Sequence, residues 1–215
     1  HARDRRASKR HCDKFLNRTI DLINKYDPDL IYFDDFVLPL YPISDAGLKI
    51  AAHFYNNNLK TKGKLQAVLN GKGLDEIQKK CMVWDIERGT SNTLETLPWQ
   101  TDTCIGDWHY DRTIYDKDRY KTAKTVIHDL ADIVSKNGNL LLSVPVRGDG
   151  TIDEKETAVV NGIADWIKLN GESIFGTRPW KVFGEGPAQE KPVALSNVLG
   201  FNEGKGIPFS NKDIR

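Results

Sequence analysis

Tyr26-Asp27-Pro28-Asp29-Leu30-Ile31-Tyr32-Phe33-Asp34-Asp35-Phe36 is the stretch on which the reading of the whole chain turns. Pro28 bars a helix from running through it and pushes Asp27 toward extended geometry. Leu30 to Phe33 form an unbroken apolar run, which suits a parallel strand covered on both faces. Two carboxylates follow directly. One reading makes Asp34 or Asp35 the cap of the next helix. The other makes it a catalytic acid at the C-terminal end of a strand, where barrel enzymes carry their chemistry.

Outward from this strand, helix and extended signals alternate. Phe15, Leu16, Thr19, Ile20 and Ile23 recur at helical spacing between Lys9 and Tyr26. After the strand at 30–34, Ser44 and Asp45 offer N-caps for a helix through Leu48, Ile50, Ala51, Phe54 and Tyr55, ending by Gly63. Lys64 to Asn70 reads as the next strand, closed by Gly71-Lys72-Gly73, and a short helical segment from Leu74 to Lys80 follows. Cys81 to Glu87 is a further apolar run ending in acids, and Leu97 to Asp107 contains another extended piece. Asp116 to Lys136 predicts one long amphipathic helix, capped by Asn137-Gly138. Asn139 to Val146 predicts a buried strand. Asp153 with Glu156 forms a capping-box pair for a helix over 153–170.

Strands alternating with helix-length crossovers predict an α/β fold with a parallel sheet. Four or five such units are legible, whereas a (β/α)8 barrel takes about 250 residues. The chain is therefore either a small open sheet or the second half of a TIM-like barrel. No Gly-x-Gly-x-x-Gly or Walker pattern follows a strand, which argues against a nucleotide-binding sheet. The polar opening His1-Ala2-Arg3-Asp4 and the unfinished tail favour the half-barrel, and mark the chain as a piece of a longer protein.

Composition narrows the partners. A net charge of +1 over 215 residues gives no electrostatic case for nucleic acid, and the basic run Arg3 to Arg10 reads as a solvated helix face. No apolar run approaches the ~20 residues that span a bilayer. Cys12, Cys81 and Cys104 are too far apart in sequence for a zinc motif or a disulfide framework. The five histidines show no paired ligand spacing, and no metal or other cofactor is expected.

Two strands thus end in acids, Asp34 and Asp35 on one, Asp85 and Glu87 on another. In a barrel these ends share one mouth, and two carboxylates about 5 Å apart are what a retaining glycosidase needs. Helix caps and salt bridges, such as Glu87 with Arg88, account for the same residues.

Longer motifs separate these readings. Pro28 to Asp34 resembles the nucleophile strand of the family 29 glycoside hydrolases, the α-L-fucosidases. Further similar stretches follow in that family's order: Ile86-Glu87-Arg88-Gly89; Pro98-Trp99-Gln100-Thr101-Asp102-Thr103-Cys104-Ile105-Gly106-Asp107-Trp108-His109-Tyr110; Ser135 to Ser143; Asp149-Gly150-Thr151-Ile152; and Trp166 to Trp180. The resemblance covers residues 28 to about 187.

The resemblance implies a retaining α-L-fucosidase acting on terminal α-L-fucosyl residues of glycans. Asp34 falls on the nucleophile and Glu87 on the general acid/base, with a pKa raised by burial or by the charge of Asp34. Gln100 stands where many members have Glu, and a neutral amide cannot do acid/base work. Asp35 is implied as pocket lining. Lys72 falls on an Arg that contacts fucose in relatives, keeping its charge but not its planar fork. Trp108 is implied as an apolar wall for the sugar's C6 methyl, or else as an ordinary core Trp.

The family pattern also implies that residues 1–180 belong to the catalytic barrel and 181–215 to a linker. An N-terminal half-barrel and a C-terminal β-sandwich would then lie elsewhere in the same protein. An extracytoplasmic location follows by the same analogy. Two other functions fit the pattern: a catalytically silent fucose-binding barrel, and a retaining glycosidase for a related sugar such as an α-L-galactoside.

Overall fold

The computed structural model describes residues 8–187 and Glu203, except for the side chain of Asp35. Five strands, β1 (Leu30–Phe36), β2 (Val68–Lys72), β3 (Val83–Glu87), β4 (Trp99–Cys104) and β5 (Gly138–Ser143), form one sheet in chain order, and the pairings described, β1 with β2, β2 with β3 and β4 with β5, are all parallel. With helices between them, they make the expected parallel half-barrel. The chain divides into two compact units, His1–Asp85 and Ile86–Arg215, with the division inside β3.

In the first unit, α1 (Lys9–Tyr26) starts at Ser8, whose hydroxyl accepts the His11 amide. It ends where Asp27 takes a left-handed φ of 43°, not the extended form expected before Pro28; the turn lets the Asp27 amide still bond to the Ile23 carbonyl. β1 (Leu30–Phe36) runs two residues past the expected end, through both aspartates. α2 (Ala46–Lys62) has Asp45 at its N-cap position and ends at Gly63. Cys12 of α1, Leu40 and Ala46 bury together, with Phe15 and Leu16 packed against them.

β2 occupies Val68–Lys72, not the expected 64–70. Two contacts explain the shift. The buried Asn58 carboxamide of α2 accepts the amides of Gln66 and Ala67, holding that approach outside the sheet. Gly71, which reads as a turn residue, sits inside the strand, because a Cβ there would lie 2.6 Å from the Val37 carbonyl oxygen. A 3-10 turn at Gln78–Lys80 replaces the longer helical segment expected there, and leads to β3 (Val83–Glu87).

In the second unit, β4 (Trp99–Cys104) pairs in register with β5 (Gly138–Ser143), from Trp99 opposite Gly138 to Cys104 opposite Ser143. Gly138 admits the buried Trp99 ring, which a Cβ would meet at 2.6 Å, and the Trp99 indole N–H donates to the Lys136 carbonyl.

The single helix expected over 116–136 is two: α3 (Arg112–Asp116) and α4 (Ala123–Ser135). Tertiary contacts break it. Lys121 donates its amide to the Ile105 carbonyl and its ammonium to the Cys104 carbonyl, Asp118 turns through φ 51°, and Thr122 caps the new start. α5 (Glu154–Asn170) begins as expected at Asp153, which accepts the Glu156 amide. The reciprocal half of the capping box is missing, since both Glu156 carboxyl oxygens are buried without a hydrogen-bond partner. No described helix is long and apolar enough to cross a membrane.

Candidate active site

The side-chain period of two puts Asn70 with Lys72 on one face of β2, while the register of β1 shifts between Tyr32 and Phe36, and Tyr32 and Asp34 both come to Lys72. Register then sets Lys72 opposite Asp85, which are Cα partners across β2 and β3. The result in the first unit is a charged cluster. The Lys72 ammonium lies 3.0 Å from Asp34 Oδ1 and 3.6 Å from Asp85 Oδ2. Tyr32 donates its hydroxyl to Asp85 Oδ2 at 2.8 Å, and its ring centroid is 5.9 Å from the ammonium.

Exposure separates the two acids sharply. The Asp85 side chain is 0% exposed and that of Asp34 is 76% exposed, while the lysine between them is 3% exposed. A buried carboxylate needs a counter-ion and further hydrogen bonds to be tolerated at all. Asp85 has both, from Lys72 and Tyr32. Asp34 has the same cation on one oxygen, and its side chain is otherwise largely exposed. Lys72, expected to contact substrate, is buried and lies between the two carboxylates.

Glu87 ends β3 in the second unit, half-buried. The turn that follows is clamped. Thr101 of β4 donates its hydroxyl to the carbonyls of Ile86 and Gly89 at 2.8 and 2.7 Å. The Arg88 amide donates to the Asp102 carbonyl at 2.8 Å. Arg88 itself is left-handed, with φ 44°, a conformation a non-glycine residue keeps only when its surroundings over-determine it.

Glu203 supplies part of that constraint. Its amide donates to the Arg88 carbonyl at 2.7 Å, and its carboxylate accepts from Arg88 Nε at 2.8 Å, from Thr103 Oγ1 and from the Lys121 ammonium. Burial alone would push the Glu203 carboxyl up, but hydrogen bonds from Lys121, Thr103 and Arg88 outweigh it and hold it below the usual range. Burial raises Asp129 to about 6, with Lys121 opposing and Glu203 and Asp132 adding to the rise.

Of the other expected residues, Asp35 is within β1 but its side chain lies outside those described. Gln100 is half-buried in β4. Trp108 lies in the loop after β4, half-buried. His109 beside it is exposed. Among the described residues, no group of three or more His, Cys, Asp or Glu is arranged to hold a metal ion.

The sequence reading passed over two partners. Asp85 was read only as an acid at a strand end, though its alternation with Glu87 already signals a shared face. Glu203 lies in the Gly-rich stretch read as a linker, where nothing in the local pattern marks it.

The α-L-fucosidase family model matches residues 1–172. An α-L-fucosidase of Dictyostelium discoideum is 26% identical over 176 residues, covering 80% of this chain and 37% of that protein. A solved α-L-fucosidase structure superposes with a TM-score of 0.67 at 24% identity, over 81% of this chain and 38% of its own. A family 29 α-L-fucosidase of Bacteroides thetaiotaomicron, trapped as a covalent intermediate in complex with 2-fluoro-fucosyl fluoride, superposes with a TM-score of 0.61 at 16% identity, over 79% and 42%. The chain therefore spans less than two fifths of the length of the curated relative, and the structural likeness identifies its strands as part of a (β/α) barrel. With the family model matching four fifths of its residues, the chain belongs to the α-L-fucosidase family.

Proposed function

We propose that the full-length protein is a retaining α-L-fucosidase, releasing terminal α-L-fucosyl residues from glycans, with Asp34 as nucleophile and Glu87 as general acid/base. The observation that carries this is the Asp34–Lys72–Asp85 arrangement: an open carboxylate at a strand end, with one oxygen held by a buried cation. Support for the covalent route comes from the relative trapped as a covalent intermediate.

In the first step Asp34 Oδ2 attacks the anomeric carbon, while Glu87 gives its proton to the departing glycosidic oxygen. The Asp34 carboxylate becomes a neutral ester. Lys72 does not then lose its counter-ion, because Asp85 Oδ2 remains 3.6 Å away. In the second step Glu87, now ionised, takes a proton from water as the water attacks the anomeric carbon and expels Asp34. Lys72 on this reading serves the nucleophile, and Trp108 is the candidate wall for the C6 methyl.

Asp34→Gly in the full-length protein tests the assignment. Hydrolysis of an aryl α-L-fucoside should fall by at least about 10³-fold with the fold intact, and added azide should restore turnover by forming a fucosyl azide. Undiminished hydrolysis in that variant would remove Asp34 from the role.

A further inference from the structure

We propose that Glu203 is a positioning residue for the acid/base: it locks the Glu87-Arg88-Gly89 turn and offsets part of the charge of Arg88 and Lys121, the two cations that share its carboxylate. This rests on the assignment of Glu87 above. Glu203 is 115 residues from Arg88 in sequence, yet it holds the turn at two points, through its amide to the Arg88 carbonyl and through its carboxylate to Arg88 Nε. From the other side the same turn is held by Thr101 and Asp102. A left-handed arginine between two such anchors has little freedom, so the residue before it is delivered in one orientation.

Charge adds a second effect. Arg88 follows Glu87 directly in the chain, and Lys121 shares the Glu203 carboxylate with Arg88. The other ionisable groups near the turn are Asp107 and Cys104 after and on β4, Asp129 on α4, and Asp85 two positions earlier on β3. With Glu203 ionised, one of the two cations is offset. Without it, Arg88 and Lys121 lose that carboxylate, while Glu87, next to Arg88 in the chain, must hold a proton until the leaving oxygen takes it. Added positive charge near an acid favours early loss of its proton.

The test uses the full-length protein and the pH dependence of kcat/KM for aryl α-L-fucosides of differing leaving group. Glu203→Gln keeps the shape and removes the charge. It should move the basic limb to lower pH by about half to one unit, and lower kcat for poor leaving groups about tenfold more than for activated ones. Glu203→Asp, which keeps the charge, should retain the wild-type limb. Adding Arg88→Gln to Glu203→Gln should carry the limb back toward the wild-type position. An active wild-type enzyme whose limb is the same in Glu203→Gln, or a shift that Arg88→Gln leaves in place, overturns the proposal. If Glu203 merely held the fold, Gln and Asp would lower activity alike with no movement of the limb, which also overturns it. A wild-type protein with no fucosidase activity would instead strike at the assignment of Glu87, and the inference would fall with it.

Discussion

Two buried carboxyl groups in this chain are held in opposite ways. Asp85 in the first unit faces a lysine and accepts a tyrosine hydroxyl. Glu156 in the second is equally enclosed, but its oxygens have no hydrogen-bond partner, and burial with the nearby charge of Asp153 raises its pKa to about 7, against the opposing pull of Arg147. The difference teaches that enclosure alone says little about charge. Where β2 supplies a cation in register, a carboxylate is accommodated as one half of an ion pair. Where the helix start supplies only another acid, the carboxyl is accommodated by keeping its proton.

Removing the cation should break the comparison most severely. Lys72→Met leaves Asp85 enclosed without its counter-ion and should cost about 3–5 kcal/mol in urea unfolding. Lys72→Arg should recover most of that loss. Equal stability in Lys72→Met and wild type would mean that the ion pair contributes nothing.

A smaller effect should appear at Glu156. Its folded pKa lies above the ordinary 4.5, so the native state binds the extra proton. Stability is then full below about pH 4.5 and declines as pH rises toward 7. Glu156→Gln should flatten that part of the curve, read as the urea midpoint against pH. A decline of the same size in the variant would assign it to other groups. Smaller still, Asp153→Asn keeps a cap at the start of α5 and removes a charge that raises Glu156. It should shift the decline to lower pH, at a cost of no more than about 1 kcal/mol in stability.

Most of the helix and strand order was legible because it depends on local chemistry: the apolar run after Pro28, the cap at Asp153, and the glycine after α2. The misplaced pieces depend on contacts with distant residues. Gly71 has the same letter in a turn as in a strand, and only the approach of the Val37 carbonyl distinguishes them. Nothing between Asp116 and Thr122 breaks a helix by itself; Lys121 does so by bonding to Ile105 and Cys104. At the candidate site, Asp34 was visible as one of two adjacent acids, and family likeness chose it. The Lys72–Asp85 pairing was hidden because it is a matter of strand register. Glu203 was hidden because its partner lies 115 residues away.

The Asn58 carboxamide has a consequence for the order of folding. It ties the last turn of α2 to Gln66 and Ala67, only 8 and 9 residues onward. The Tyr32–Asp85 bond, by contrast, must close over 53 residues. Short loops close early and at small entropic cost. Asn58 therefore indexes β2 before the strands that need its lysine arrive. Asn58→Ala should slow refolding more than it speeds unfolding, and a chevron in which only the unfolding arm moved would place the contact after the rate-limiting step.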